Sequence, residues 1–192
     1  GRLSGLNTRI AAPTYDQLLA RFGEGATEFS GPLPTGNGVW RNPGDQSVTA
    51  ELSFPSNRRV LVFIDGSLTI SGEIHVPADS AVVFIVQGEI RFSKRLAGGG
   101  GPDQKDKTDG LYLAGGKIRT AYDAGSGEIT RRLIVSGALI SLKDTLDLLR
   151  NLSDEDNAKF AAEQIKLEPK YYVLMADLLG EPQVSWREIA PR

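Results

Sequence analysis

The 192 residues contain no cysteine, one histidine and one methionine. No disulfide can staple this fold, no thiolate can serve as a nucleophile, and no zinc can be held by cysteine. Such a composition fits a surface protein stabilised by backbone pairing. Charge of one sign is also lacking. Twenty-two basic residues face 24 acidic ones, for a net charge of -2, which removes the global electrostatic case for nucleic acid or an anionic membrane as partner. Paired basic residues (Arg58-Arg59, Lys94-Arg95, Arg131-Arg132) are spread along the chain and read as solvated strand ends. The longest apolar run, Ala81 to Val86, is far too short to span a bilayer. No signal peptide is visible; the first residue is Gly1 and not Met, so the expectation is a processed product or an excised domain.

What the chain does have is a run of strand signals. Residues 1–47 are rich in proline and glycine, with one short helix expected: Thr14 caps it, Tyr15, Leu18, Leu19 and Phe22 share a face, and Gly23 ends it. From Val48 to about Lys143, short segments of alternating Val, Ile and Leu follow one another without a convincing helix, which argues against helical crossovers. A Gly-x-Leu/Ile step recurs after an apolar run at Gly66, Gly88, Gly116 and Gly137, spaced by 22, 28 and 21 residues. Three residues before each glycine stands Phe63, Ile85, Leu113 or Ile134. The long interval contains LAGGGGPDQKDKTDG, read as a surface insertion. A period near 22 suits one coil of a parallel β-solenoid, whose repeats fall within about 20–50 residues. The expectation is therefore an all-β, parallel β-solenoid (β-helix) of four to five coils, with short helical caps at both ends. The four glycines would turn its corners, and Phe63, Ile85, Leu113 and Ile134 would form its internal stack. An antiparallel sandwich or barrel is the competing fold. The organisation expected is an irregular and helical cap over 1–47, the solenoid over 48–143, and a C-terminal cap and tail over 144–192, all one structural domain.

Residues with chemical potential have plain readings. His75 alternates with Ile74 and Val76 and reads as a surface histidine; as a general base it would need a partner and a cleft. Asp103, Asp106 and Asp109 recur every third residue, which suggests a weak calcium site, but Lys105 and Lys107 neutralise them and the EF-hand spacing is not met. The run Gly98–Gly101 lacks the Lys-Ser/Thr and the helix of a phosphate loop and reads as a flexible insertion. Glu73, Asp79 and Glu89 would form a glycosidase pair only if two were held at catalytic separation. Trp40, Trp186, Tyr171 and Tyr172 read as cap packing.

Residues 60–191 resemble the C-terminal modules of large uncharacterised surface proteins of candidate-phyla bacteria. The likeness is carried by Val83–Ile90, Asp109–Ile118, Arg131–Ile140, the linker Leu149–Arg150, Glu163–Pro169 and most specifically the Trp186–Pro191 ending in VSWREIAP. The chain is also distantly similar to bactofilins, polymer-forming β-solenoids with shorter repeats. The resemblance implies a fold and a cell-surface location, and no catalytic residues. The function expected is a non-catalytic structural or adhesive module, extracellular or at the cell surface and capable of self-assembly, with no cofactor. Its partners would be neighbouring domains, identical copies or a cell-surface glycan. A carbohydrate-binding or polysaccharide-cleaving β-helix is the alternative.

Overall fold

The computed structural model describes residues 12–99 and 105–176. In chain order the elements are α1 (Tyr15–Phe22), β1 (Thr27–Glu28), β2 (Gly38–Asn42), β3 (Gln46–Val48), β4 (Leu52–Ser53), β5 (Arg59–Ile64), β6 (Leu68–Gly72), β7 (Ile74–His75), β8 (Ala81–Val86) and β9 (Ile90–Ala97). They continue with β10 (Lys105–Ala114), β11 (Ile118–Thr120), β12 (Arg132–Ser141), β13 (Leu146–Asp147), α2 (Asp154–Asn157), β14 (Glu163–Lys166) and α3 (Lys170–Leu174). The large sheet runs β1-β2-β5-β8-β10-β12-β14, with β4 and β7 completing its nine strands; the small sheet runs β13-β11-β9-β6-β3. Every pairing is parallel. Passage from β2 to β5, and from β5 to β8, goes through small-sheet strands and not through a helix.

Register explains why the apolar pattern repeats. Val60 pairs with Val82 and Leu68 with Ile90, each 22 positions on. Ile90 pairs with Ile118 and Val83 with Leu111, each 28 on. The additional residues do not slip the register, because a shift of one position would move every side chain to the other face. They are absorbed elsewhere. Between Ile70↔Phe92 and Gly72↔Ala97 the ladder bulges, looping out Ser93 to Leu96.

The architecture is mixed α/β: two parallel sheets with a few short helices, not the all-β solenoid with helical caps that the repeat led us to expect. The finding that overturns the expectation is the position of the helices and of the predicted column. The sheets enclose one core of Val62, Ile64, Phe84, Val86, Phe92, Tyr112 and their neighbours. A second core lies on the opposite face of the large sheet, where Leu61, Phe63, Val83, Ile85 and Leu111 meet Tyr15 of α1 and Tyr171 and Met175 beside α3. Tyr15 packs edge-on against Phe63 at 6.0 Å. Phe63, Ile85 and Leu113 thus lie under helices, outside the inter-sheet core. Ile134 does not belong to their row at all: Leu113 pairs with Ile140, and Ile134 with Lys107.

The physical reason is parity. Successive side chains on a strand point to opposite faces, and β5 and β8 are buried on both. A stretch such as AVVFIV is then apolar at every position, and its sequence does not say which alternate residue faces which core. The reading of LAGGGGPDQKDKTDG as a non-strand insertion is also corrected: Lys105–Asp109 form the first half of β10. Here the side chains of Asp106, Thr108 and Asp109 each find a hydrogen-bond partner, in Arg150, Tyr112 and Val76 N, while Lys107 is exposed. Thr14 caps α1 as expected, accepting from Gln17 N while the Gln17 side chain accepts from Thr14 N. The VSWREIAP tail, including Trp186, lies outside the described residues.

Phe84 and Tyr112 stack in parallel at 5.2 Å inside the inter-sheet core, with Phe92 edge-on to Tyr112 at 5.3 Å. Replacing Phe84 with Ala should cost about 3–5 kcal/mol in urea unfolding, because the fully buried ring leaves a cavity between two rigid sheets.

Candidate functional site

Three features bring polar groups together. The first is a row of close-packed glycines. Gly66 N donates to Gly44 O (3.2 Å), Gly88 N to Gly66 O (2.9 Å) and Gly116 N to Gly88 O (2.9 Å). A Cβ on Gly88 would stand 2.9 Å from Gly66 O, so the row depends on backbones approaching without side chains. Gly137 is not part of it. It lies within β12, opposite Gly110 of β10, and both have positive φ (148° and 144°). Their role is a different one. Between β7 and β8 the chain makes a corner through Val76 to Ser80, whereas β10 and β12 cross the same boundary with one glycine each.

The second feature is a buried ion cluster beside the bulge. Looping out Ser93 and Lys94 leaves their carbonyls without ladder partners, and a buried carbonyl needs a donor. Arg150 supplies it. Its Nη2 donates to Ser93 O (2.6 Å), and its Nη1 to Lys94 O (2.9 Å), Arg131 O (2.7 Å) and Asp106 Oδ2 (2.8 Å). Arg131 Nε lies 3.2 Å from Asp106 Oδ1, and its guanidinium also donates to Lys105 O and Gly99 O. Asp106 and the Arg150 side chain are fully buried. Burial lowers the Arg150 pKa, and the Asp106 carboxylate opposes that shift. A Cβ on Gly99 would meet Asp106, Arg131 and Glu73 together. Gly99 therefore roofs this cluster and Gly98 lies against Glu51, so the two are not simply a flexible insertion.

The third feature is adjacent. Leu52 pairs with Ile74 and Ser53 with His75, which sets Glu51 beside Glu73. His75 Nε2 lies 3.4 Å from Glu51 Oε1 and 3.4 Å from Glu73 Oε2. Glu73 is only 6% exposed, and its Oε1 accepts from Lys107 N (2.6 Å). The histidine expected on an open surface is thus half-buried between two carboxylates. Ser53 stands next to it in register, but the Nε2 faces the glutamates. These distances exceed those of a charge-assisted hydrogen bond, about 2.7–2.9 Å, so the three groups are near neighbours held mainly by their strands.

The remaining candidates fall elsewhere. Asp103 lies outside the described residues. Asp106 is enclosed by arginines, and Asp109 Oδ2 accepts from Val76 N (2.9 Å), so these two do not form the calcium loop suggested by their spacing. Glu89 pairs with Arg91 at 2.9 Å, and Asp79 sits by Ser80. Trp40 donates to Gly36 O, Tyr171 is buried and donates to Ser136 O, and Tyr172 is exposed. Among the described residues no His, Asp and Glu group has metal-holding geometry, and no helix is long and apolar enough to cross a membrane. Sequence reasoning missed Arg131, Arg150 and Glu51. Arg131 looked like a solvated strand end and Arg150 like a linker residue. The available signal was a bulge-sized excess in the repeat, which implies carbonyls in need of donors.

Two further carboxylates tie distant segments. Asp65 takes a bidentate contact from Arg41 (3.1 and 2.7 Å) and the Tyr15 hydroxyl (2.6 Å), anchoring α1. The Arg41 hydrogen bonds hold Asp65 below its usual range, against an opposing burial effect. Burial pushes the Tyr15 hydroxyl pKa up, as does its bond to Asp65. Burial tends to raise Asp123, but bonds from Ser93 and Lys94 N outweigh it and leave its pKa lowered.

Comparison with protein-family models, with curated proteins and with solved structures finds no match for this chain.

Two expectations follow. Arg150→Met should destabilise by about 3–5 kcal/mol in urea, because it leaves Asp106 and three carbonyls short of a buried partner. In a cycle with Asp106→Asn the two losses should not add. Separately, the depressed pKa values of Asp65 and Asp123 give stability that is present above their unfolded value and lost as pH falls through the folded one. Thermal melts should weaken below about pH 4, and Asp65→Asn should flatten that acid limb.

Proposed function

We propose that this protein is a non-catalytic structural or adhesive module that acts at the bacterial cell surface. The observation that supports this reading best is how the buried polar groups are used. Arg150, Arg131, Asp106, Glu73 and Asp109 all bond across successive strands or to freed backbone groups, so the charge sealed in the fold serves its rigidity. The small sheet turns outward a row of Ser47, Thr69, Arg91, Arg119 and Asp147, aligned by register. Arg91 is paired with Glu89, and Arg119 lies near Glu89 and Asp147. A regular polar surface on a stiff support suits contact with neighbouring domains, identical copies or a cell-surface glycan. The likeness to surface modules of candidate-phyla bacteria supports the location.

One observation favours a second reading as a carbohydrate-binding or polysaccharide-cleaving protein. His75 stands between Glu51 and Glu73, 3.4 Å from a carboxylate oxygen of each.

The two readings separate in a single experiment. The labelled full chain should bind intact bacterial envelopes, release no reducing ends from a polysaccharide panel, and keep its binding in Glu73→Gln and His75→Ala. Reducing-end release that disappears in Glu73→Gln would replace the first reading with the second.

A further inference from the structure

The two ends of the sheets differ in a way that points to a partner. Every exposed large apolar side chain among the described residues lies at or after Tyr122, and none precedes it. The ends are also stepped. At the first end, β1 projects beyond β2, while β4 is set back and borders a groove lined by Leu33, Val48 and Leu52. At the last end, β14 projects beyond β12 but covers only Leu133–Ser136. Among the described residues, no strand pairs with the outer edge of β12 from Gly137 to Ser141.

The registers relate the two ends row by row. Thr27 heads a row that runs through Trp40, Val62, Phe84 and Tyr112 to Leu139. Glu28 heads the adjacent row, which ends at Ile140, 41% exposed. A third row starts at Leu52 beside the groove and ends at Ile165, 43% exposed. The strand that projects at one end therefore heads the row left open at the other.

We propose that the partner is a second copy of this chain, stacked head to tail. Thr27–Glu28 of the second copy adds in parallel to Leu139–Ile140 of the first, about 4.8 Å away, which sets it level with the projecting β14; β14 then faces the second copy's groove beside Leu52 across one open strand position. The contact continues the pairing that already joins successive strands within the chain, and it covers Ile140. It is heterologous, joining different surfaces, so repetition gives an open row of copies and not a closed dimer. This inference rests on the structural and adhesive reading and names the partner for it.

The test uses the full chain by light scattering over a concentration series and by electron microscopy. The wild type should gain mass with concentration and form linear particles. Ile140→Lys blocks the last end and Glu28→Pro the first, the Glu28 N–H facing away from β2 where Phe29 N donates to Arg41 O; circular dichroism checks that each folds. Each variant alone should stay monomeric, because every copy then lacks the same half of the contact, and a mixture of one blocked at each end should give a one-to-one dimer and nothing longer. Wild type that remains monomeric throughout, a symmetric dimer indifferent to these substitutions, or a mixture that stays monomeric overturns the proposal. Envelope binding is measured in parallel with Ile140→Lys. If binding persists in a protein that never self-associates, the inference fails and the functional reading stands; if self-association occurs without binding, the adhesive reading fails and the inference stands.

Discussion

Parallel pairing between equivalent positions of successive chain passages is the constraint on which the rest depends. Once Val60 lies on Val82 and Val83 on Leu111, each side chain has its counterpart one strand away. Aliphatic residues gain by this arrangement, because like shapes pack in rows. Charges do not, since stacked like charges repel and burial removes their solvation. The chain keeps most charges on outward positions and brings opposite signs together where they must be inside, as with Asp106 between Arg131 and Arg150. Added length is likewise tolerated only where it leaves the pairing untouched.

That constraint also decides what can be read from the sequence. The recurrence of apolar runs, the close-packed glycines at 66, 88 and 116, and the Thr14 cap all depend on neighbours within a short stretch or one passage away, and they are visible in the residues. The facing of β5 and β8 is not visible, because a strand buried on both sides carries no alternation to read. Hence Phe63, Ile85 and Leu113 were expected between the sheets and are found beneath α1 and α3. Gly137 illustrates the same limit. Its spacing mimics the glycine row, but it serves to carry β12 past a corner beside Gly110.

The polar sites were less legible for a different reason. Arg150 is 57 positions from Ser93 and 44 from Asp106, so no local pattern announces their meeting. Its place follows from the bulge in β9, whose freed carbonyls require donors, and the bulge itself is a matter of three-dimensional register. His75 gave an outward-facing signal by alternation alone; Glu51 reached it only because the preceding passage aligned Ser53 with it.

The reach of Arg150 has a consequence for how the molecule comes apart. In a fold whose strands touch mainly their nearest neighbours, order can melt away strand by strand from either extremity. A guanidinium that grips the β9 bulge, β10 and the start of β12 at once binds those passages into a single cooperative block. Fraying is then asymmetric: α1 and the first strands, held by Asp65 and ordinary pairing, can loosen singly, while the later passages are lost together.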